Sequence, residues 1–127
     1  MSQFNPLLIK GLTNSEDLSN KKWFFAQMSN DNEVKLADGS VKPIGVIYDV
    51  NSADATSGGA VGIITHGTAK LVVKKNADNA YPSAGDYIVA SSVGYGIKRK
   101  DEDYILVRAM ALESASADGD IIEVILI

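Results

Sequence analysis

The stretch Ile105-Leu106-Val107-Arg108-Ala109-Met110-Ala111-Leu112-Glu113, then Ser114-Ala115-Ser116-Ala117-Asp118-Gly119-Asp120, then Ile121-Ile122-Glu123-Val124-Ile125-Leu126-Ile127 decides the fold. Its first part is apolar and mostly lacks helix stop signals, its middle is small and polar, and its last part is β-branched with one charge. The final run is too short for a stable helix and has the length of a strand. The whole therefore reads as strand, loop and closing strand, the last buried at the centre of a sheet or at an interface. Ile121, Ile125 and Ile127 share one face of it with Glu123, and Ile122, Val124 and Leu126 share the other. A strand apolar on both faces makes Ile121, Ile125 and Ile127 candidates for contact between protomers. The Gly119-Asp120 before it recurs as Gly85-Asp86 before Tyr87-Ile88-Val89-Ala90, a turn residue and a carboxylate set directly ahead of a strand each time.

Upstream, β signals accumulate from Lys22. Trp23-Phe24-Phe25-Ala26-Gln27-Met28 predicts a short aromatic strand that anchors the core. Glu33–Leu36, Asp38-Gly39 and Val41–Ile44 predict a hairpin, with Asp38-Gly39 in its turn. Gly45–Val50 is the next strand, and residues 51–59 are a loop of small and polar residues, the expected mobile segment. Ala60–Thr65 and Thr68–Lys74 read as two adjacent strands joined at His66-Gly67; in the second, Ala69, Leu71 and Val73 face the core while Lys70 and Lys74 face water. A Gly94-Tyr95-Gly96 turn leads to a strand through Ile97 and a charged tip, Lys98-Arg99-Lys100 followed by Asp101-Glu102-Asp103.

Turn signals recur about every eight to twelve residues and no long segment carries a helical apolar stripe, the pattern of an all-β sandwich or barrel. Residues 1–20 differ: Leu7, Leu8, Ile9 and Leu12 are apolar, but Asn5-Pro6, Gly11 and the polar run 13–20 interrupt them. They read as a first strand or a tail, or as an arm that docks on a neighbouring molecule. The expected architecture is thus a compact all-β sandwich or barrel with short turns, over residues 21–127, preceded by an irregular N-terminal arm over residues 1–20.

At 127 residues the chain is one domain with room for a real core, burying roughly two-thirds of its unfolded surface. Without cysteine it has neither disulfides nor a thiolate metal site. Sixteen acidic against twelve basic residues, a net charge of −4, argues against a nucleic-acid partner. No stretch approaches the roughly 18 apolar residues of a membrane span. The start, Met1-Ser2-Gln3-Phe4-Asn5-Pro6, lacks the basic and apolar regions of a signal peptide, so synthesis and use without export are expected.

Catalytic chemistry has little to work with. His66 is the only histidine, so a histidine-based metal site would need carboxylates to complete it. Gly58-Gly59-Ala60-Val61-Gly62 has the glycines of a phosphate loop but not its Lys-Ser/Thr ending or following helix. Asp49, Asp54, Asp86, Asp118 and Asp120 match no EF-hand spacing and sit in ordinary turn contexts.

In order and spacing, Pro43-Ile44-Gly45-Val46-Ile47-Tyr48-Asp49, Gly59-Ala60-Val61-Gly62-Ile63, Gly67-Thr68-Ala69-Lys70-Leu71, Ala84-Gly85-Asp86-Tyr87-Ile88-Val89 and the closing residues 108–124 resemble the small head decoration (capsid cement) proteins of tailed bacteriophages. The resemblance covers residues 43–127. It implies a β-rich virion protein made in the host cytoplasm that sits on the outer capsid surface, commonly as a homotrimer, and grips several subunits of the major capsid protein. It implies no catalysis and no cofactor. An N-terminal segment often joins the capsid contact in that family, which here makes Phe4, Leu7, Leu8 and Ile9 the capsid-contact candidates. A small-ligand or carbohydrate-binding β-barrel is the alternative, resting on Trp23, Tyr48, Tyr81, Tyr87, Tyr95 and Tyr104. An enzyme built on a carboxylate pair is a third.

Overall fold

The computed structural model describes residues 6–50, 59–100 and 104–127, with the side chains of residues 6–11 and 104 excepted. In chain order the strands are β1 (Pro6–Asn14), β2 (Phe25–Asn30), β3 (Glu33–Leu36), β4 (Gly45–Val50), β5 (Ala60–Val72), β6 (Tyr87–Ala90), β7 (Gly96–Lys98), β8 (Ala109–Ala111) and β9 (Ile121–Leu126), with a 3-10 turn at Tyr104–Leu106 before β8. The fold is all-β, as the sequence implies.

The strands run β1-β3-β2-β4-β5-β9-β8-β6-β7, and β1 also pairs with β5. That extra pairing closes β1, β3, β2, β4 and β5 into a small barrel. The other half of β5 starts a second ring through β9, β8, β6 and β7, which returns to the strand's end by one bridge, Val73 to Gly96. β5 is the shared staff. Its first half pairs with β1 (Leu8 to Ile64, Thr13 to Ala60) and β4 (Val46 to Ile64, Val50 to Val61), its second with β9 (Thr68 to Ile125, Val72 to Ile121). The handover falls at Gly67, whose φ of 79° an L side chain rarely adopts.

Three sequence expectations change here. His66-Gly67 does not reverse the chain: β5 runs through it, its first half laddered on both sides by β1 and β4 and its second continuing onto β9. Asp38-Gly39 does not close a hairpin between β3 and β4 either. Gly39 does take a positive φ of 83°, but β3 folds back on β2 through Asn30-Asp31-Asn32, and β2 lies between β3 and β4. The irregular arm over residues 1–20 is, from Pro6 to Asn14, a nine-residue strand. Its ladder with β5 shifts register between Leu7 and Leu8 and between Ile9 and Leu12, so Gly11 accommodates a bulge instead of ending the strand. Two smaller differences follow. Strand β2 begins at Phe25, after Trp23 and Phe24, and the expected strand from Ile105 is paired only over Ala109–Ala111, where β6 and β9 reach it. The loop 51–58 and Asp101-Glu102-Asp103 lie outside the described residues.

The interior divides with the rings. Leu12, Leu18, Ala26, Val34, Ile47, Val61 and Ile63 fill the first barrel. Leu18, from the connection after β1, is fully buried, and the adjacent turn is held by Ser19 N–H donating to Asp17 Oδ1 at 2.9 Å. The second cluster joins Phe25, Val46 and Ile64, from the outer faces of β2, β4 and β5, to Leu71, Val73, Ile88, Ile122, Val124 and Leu126 of the second ring. Strands β2, β4 and β5 are therefore apolar on both sides at the junction: Ile63 and Ile64 point opposite ways and both have no exposed surface. Each such side chain contributes about 1.5–3 kcal/mol by leaving water. Beyond Gly67, Ala69, Leu71 and Val73 are buried and Lys70 exposed as the sequence implies, but the expected wet face ends there: Val72 is buried as well, and Lys74 is half-buried with its ammonium 5.1 Å from the Tyr95 ring centroid.

Candidate functional site

The residues proposed for contact separate into distinct settings. Phe4 lies outside the described residues. The backbones of Leu7, Leu8 and Ile9 are engaged with β5, opposite His66, Ile64 and Ile63. On β9, Ile122, Val124 and Leu126 turn inward while Ile121 and Ile127 are exposed and Ile125 is half-buried. Ile125 belongs to a row that crosses four strands, Tyr87 opposite Met110, Met110 opposite Ile125, and Ile125 opposite Thr68. Tyr87 is exposed, with the Arg99 guanidinium 5.6 Å from its ring centroid.

Ile127 borders a different feature, a groove of about 480 Å³ with Lys42, Pro43, Ile44, Thr65, His66, Arg108 and Leu126. Arg108 is its structural centre. Buried to 8% exposure, it donates from Nε to Pro43 O at 3.0 Å, from one terminal nitrogen to Ile127 O at 3.0 Å, and from the other to Ile44 O at 3.0 Å and to Thr65 O. Four carbonyls thus take its hydrogens, and it ties the end of β9 to the loop before β4 and to β5. Burial pushes its pKa down from the ordinary arginine range. The only sequence signal was a lone charge in an apolar run, which did not reveal the carbonyl cage.

Ile121 borders a third feature, a cavity of about 400 Å³ lined by Trp23, Lys70, Glu113, Ile121, Ile122 and Glu123. Trp23 has φ 73°, a left-handed conformation that costs a non-glycine residue about 1–3 kcal/mol. Its backbone bridges two strands: its N–H donates to Ile47 O at 2.7 Å and its carbonyl accepts from Val72 N–H at 2.9 Å. The half-buried indole meets Tyr48 edge-on with ring centroids 5.3 Å apart, and the Lys22 ammonium stands 4.8 Å from the indole centroid and 4.9 Å from the Tyr48 centroid. Across the cavity Lys70 faces Glu123 in the β5–β9 ladder, and Glu113 Oε1 accepts from Glu123 N–H at 2.6 Å.

Among the described residues the other aromatics do not form one stacking face. Phe24 packs edge-on with Tyr95 at 4.9 Å, and Tyr81 lies beside Asp118, where desolvation first and that carboxylate second raise its pKa. The side chain of Tyr104 lies outside the described residues. His66 is exposed on β5 with Nδ1 3.0 Å from Thr65 Oγ1. Asp86, Asp118 and Asp120 take backbone N–H groups of Ser83, Lys75, Ser116 and Ala117, which is turn chemistry; Asp54 lies outside the description. Those donors, Ser116 first, hold Asp120 below the usual carboxylate range, and Ser40 does the same for Asp38. Among the described residues no three potential ligands cluster to hold a metal. The basic run is partly buried, with Lys98 3.6 Å from Asp86 and Lys100 3.8 Å from Asp78.

Two small rings sharing one long strand are distinctive enough to compare with solved structures. The N base of head fiber gp8.5 in bacteriophage phi29 superimposes with a TM-score of 0.67 and covers 95% of each chain. The fold resembles that of this head-fibre base. At 13% identity the likeness is one of fold alone. No family model matches the sequence, and neither does any curated protein.

Proposed function

We propose that this protein is a structural component of a phage particle that binds the outer surface of the expanded capsid and stabilises it, without catalysis. The observation that carries this reading is the fold shared end to end with a head-fibre base. The order of sequence blocks over residues 43–127 supports it independently. A protein that binds only the expanded lattice stabilises that lattice by mass action. Three linked copies multiply a weak contact into a firm one, so we assign the major capsid protein as partner and a homotrimer as the binding unit. The apolar row through Ile125 suits the contact between protomers, because its neighbours Met110 and Tyr87 extend it across the sheet.

The test is co-sedimentation of the purified protein with undecorated heads, expanded and unexpanded. Saturable binding to expanded heads alone, at a small whole-number ratio to capsid subunits, is expected; binding to neither overturns the reading. Because β1 is part of the first barrel, the N-terminal contact is tested by Phe4→Ala, which leaves the strand in place. Full-strength binding by that variant would remove Phe4 from the contact. Sedimentation equilibrium of Ile125→Lys against the parent tests the homotrimer, which the charge should dissociate.

A further inference from the structure

The indole of Trp23 packs in part against the second core cluster, but the charged groups around the cavity beside it, Lys70, Glu113 and Glu123, serve no packing. A core position would be served by an aliphatic side chain, and a left-handed backbone by glycine or asparagine. Here an indole occupies that conformation, fixed from one side by Tyr48 and from above by Lys22, and its remaining surface opens on a space walled by Lys70, Glu113 and Glu123. The volume, about 400 Å³, lies within the range of small-molecule sites. Glu113 is held in place through Oε1 by the Glu123 N–H, while Oε2 makes no hydrogen bond among the described residues.

These groups ask for one kind of ligand. An aromatic face takes apolar C–H groups, carboxylate oxygens accept from hydroxyls, and an ammonium donates to them. Two carboxylates at the rim discourage a phosphate or carboxylate, and Lys22 and Lys70 beside them discourage a cationic peptide. A neutral pyranose offers what fits: an apolar face of ring hydrogens and an edge of vicinal hydroxyls. We propose that the Trp23 cavity is a binding site for neutral carbohydrate, with Trp23 as the stacking platform and Glu113, Glu123 and Lys70 as the groups that read the hydroxyls. The proposal does not rest on capsid attachment. The nearest β9 residue of the site, Glu123, lies about 7 Å along the strand from Ile125, two residues at about 3.3 Å each, so the row assigned to protomer contact adjoins the site without sharing a residue with it.

Trp23 is the only tryptophan, so its own emission reports on the site. The full chain is titrated with cellotetraose, maltotetraose and chitotetraose in turn, up to millimolar concentration. A saturable change in tryptophan emission with at least one of them is expected. Glu113→Gln, an exposed change that keeps the side chain's shape, should weaken that binding about tenfold while the thermal unfolding curve stays in place. Amide chemical shifts of Lys70, Glu113 and Glu123 are followed in the same titrations. No saturable change in emission together with no movement of those amides for any of the three sugars, or equal affinity in Glu113→Gln, overturns the proposal.

Discussion

The two rings are built on the same strand yet closed by different means. The first is closed by backbone, with β1 lying along β5 from Pro6–Gly67 to Thr13–Ala60 and touching β3 at Thr13 and Asn14. Its seam is sealed by buried Asn14, whose Oδ1 accepts from Gly59 N–H at 2.6 Å. The second ring meets β5 again at a single bridge and is closed largely by side chains and turns. There Asn76, also buried, covers the outer edge of β7 by donating from Nδ2 to Lys98 O at 3.3 Å, and its Oδ1 takes the N–H groups of Asp78 and Ala80. The ring is thus finished without a complete ladder, by the Val73–Gly96 bridge, the Lys74 N–H on Gly96 O at 3.1 Å and the Asn76 amide on Lys98 O. The first ring should be intolerant at its backbone contacts, the second at a few polar side chains.

Gly45→Ala is the sharpest way to break the first ring. A Cβ there would stand 2.0 Å from Ile64 O, a backbone atom of the shared strand, so β4 and β5 must part. We expect loss of the cooperative transition by circular dichroism. The matched change in the second ring, Gly96→Ala, meets Leu71 Cδ2 at 2.4 Å, a side-chain atom that can shift, and should leave a folded but destabilised protein. Equal damage from both would erase the distinction.

Arg108→Met tests the tie between the rings. Four carbonyls lose a charged donor, and urea unfolding should register about 3–5 kcal/mol of destabilisation. A near-unchanged midpoint would mean that water replaces the guanidinium without cost. Asn76→Ala, confined to the second ring's edge, should cost about 1–3 kcal/mol and speed amide exchange at Asp78 and Ala80 while leaving β1 protected.

The smallest effect concerns Asp120 in the turn before β9. Its folded pKa lies below the unfolded value, so its contribution is complete above about pH 4 and is lost as pH falls through the folded value. Thermal melts of Asp120→Asn and the parent should differ by a constant amount near neutrality, and the difference should shrink as pH falls through the folded value. A gap that widens on acidification would reverse the assignment.

The sequence made the strands legible wherever burial follows the two-residue period, as in Ala69, Leu71 and Val73, and wherever both faces are buried, as in Val46-Ile47 and Ile63-Ile64. What it hid was partnership. Asp38-Gly39 carries a turn's chemistry but not a hairpin's, since only tertiary contacts decide that β2 sits between β3 and β4. Pro6 and Gly11 look like breaks because their cost is local, whereas the long ladder with β5 that outweighs it is not. The sites were less visible still: Ile121, Ile125 and Ile127 share a face but border three separate features, and neither the cage around Arg108 nor the left-handed Trp23 has a sequence signature.

The shared staff also sets a timetable. Pro6 pairs with Gly67 and Thr68 with Ile125, so each ring joins residues far apart along the chain. On a ribosome adding about 5–20 residues per second, β1 to β4 emerge with an open seam and wait seconds for β5, and the second half of β5 then waits again for β9. Folding dominated by such distant pairings is slow, and the half-made barrel exposes its strand edges meanwhile. The stage most exposed to misassembly is therefore the interval in which β5 has completed one ring and still lacks its partner for the other.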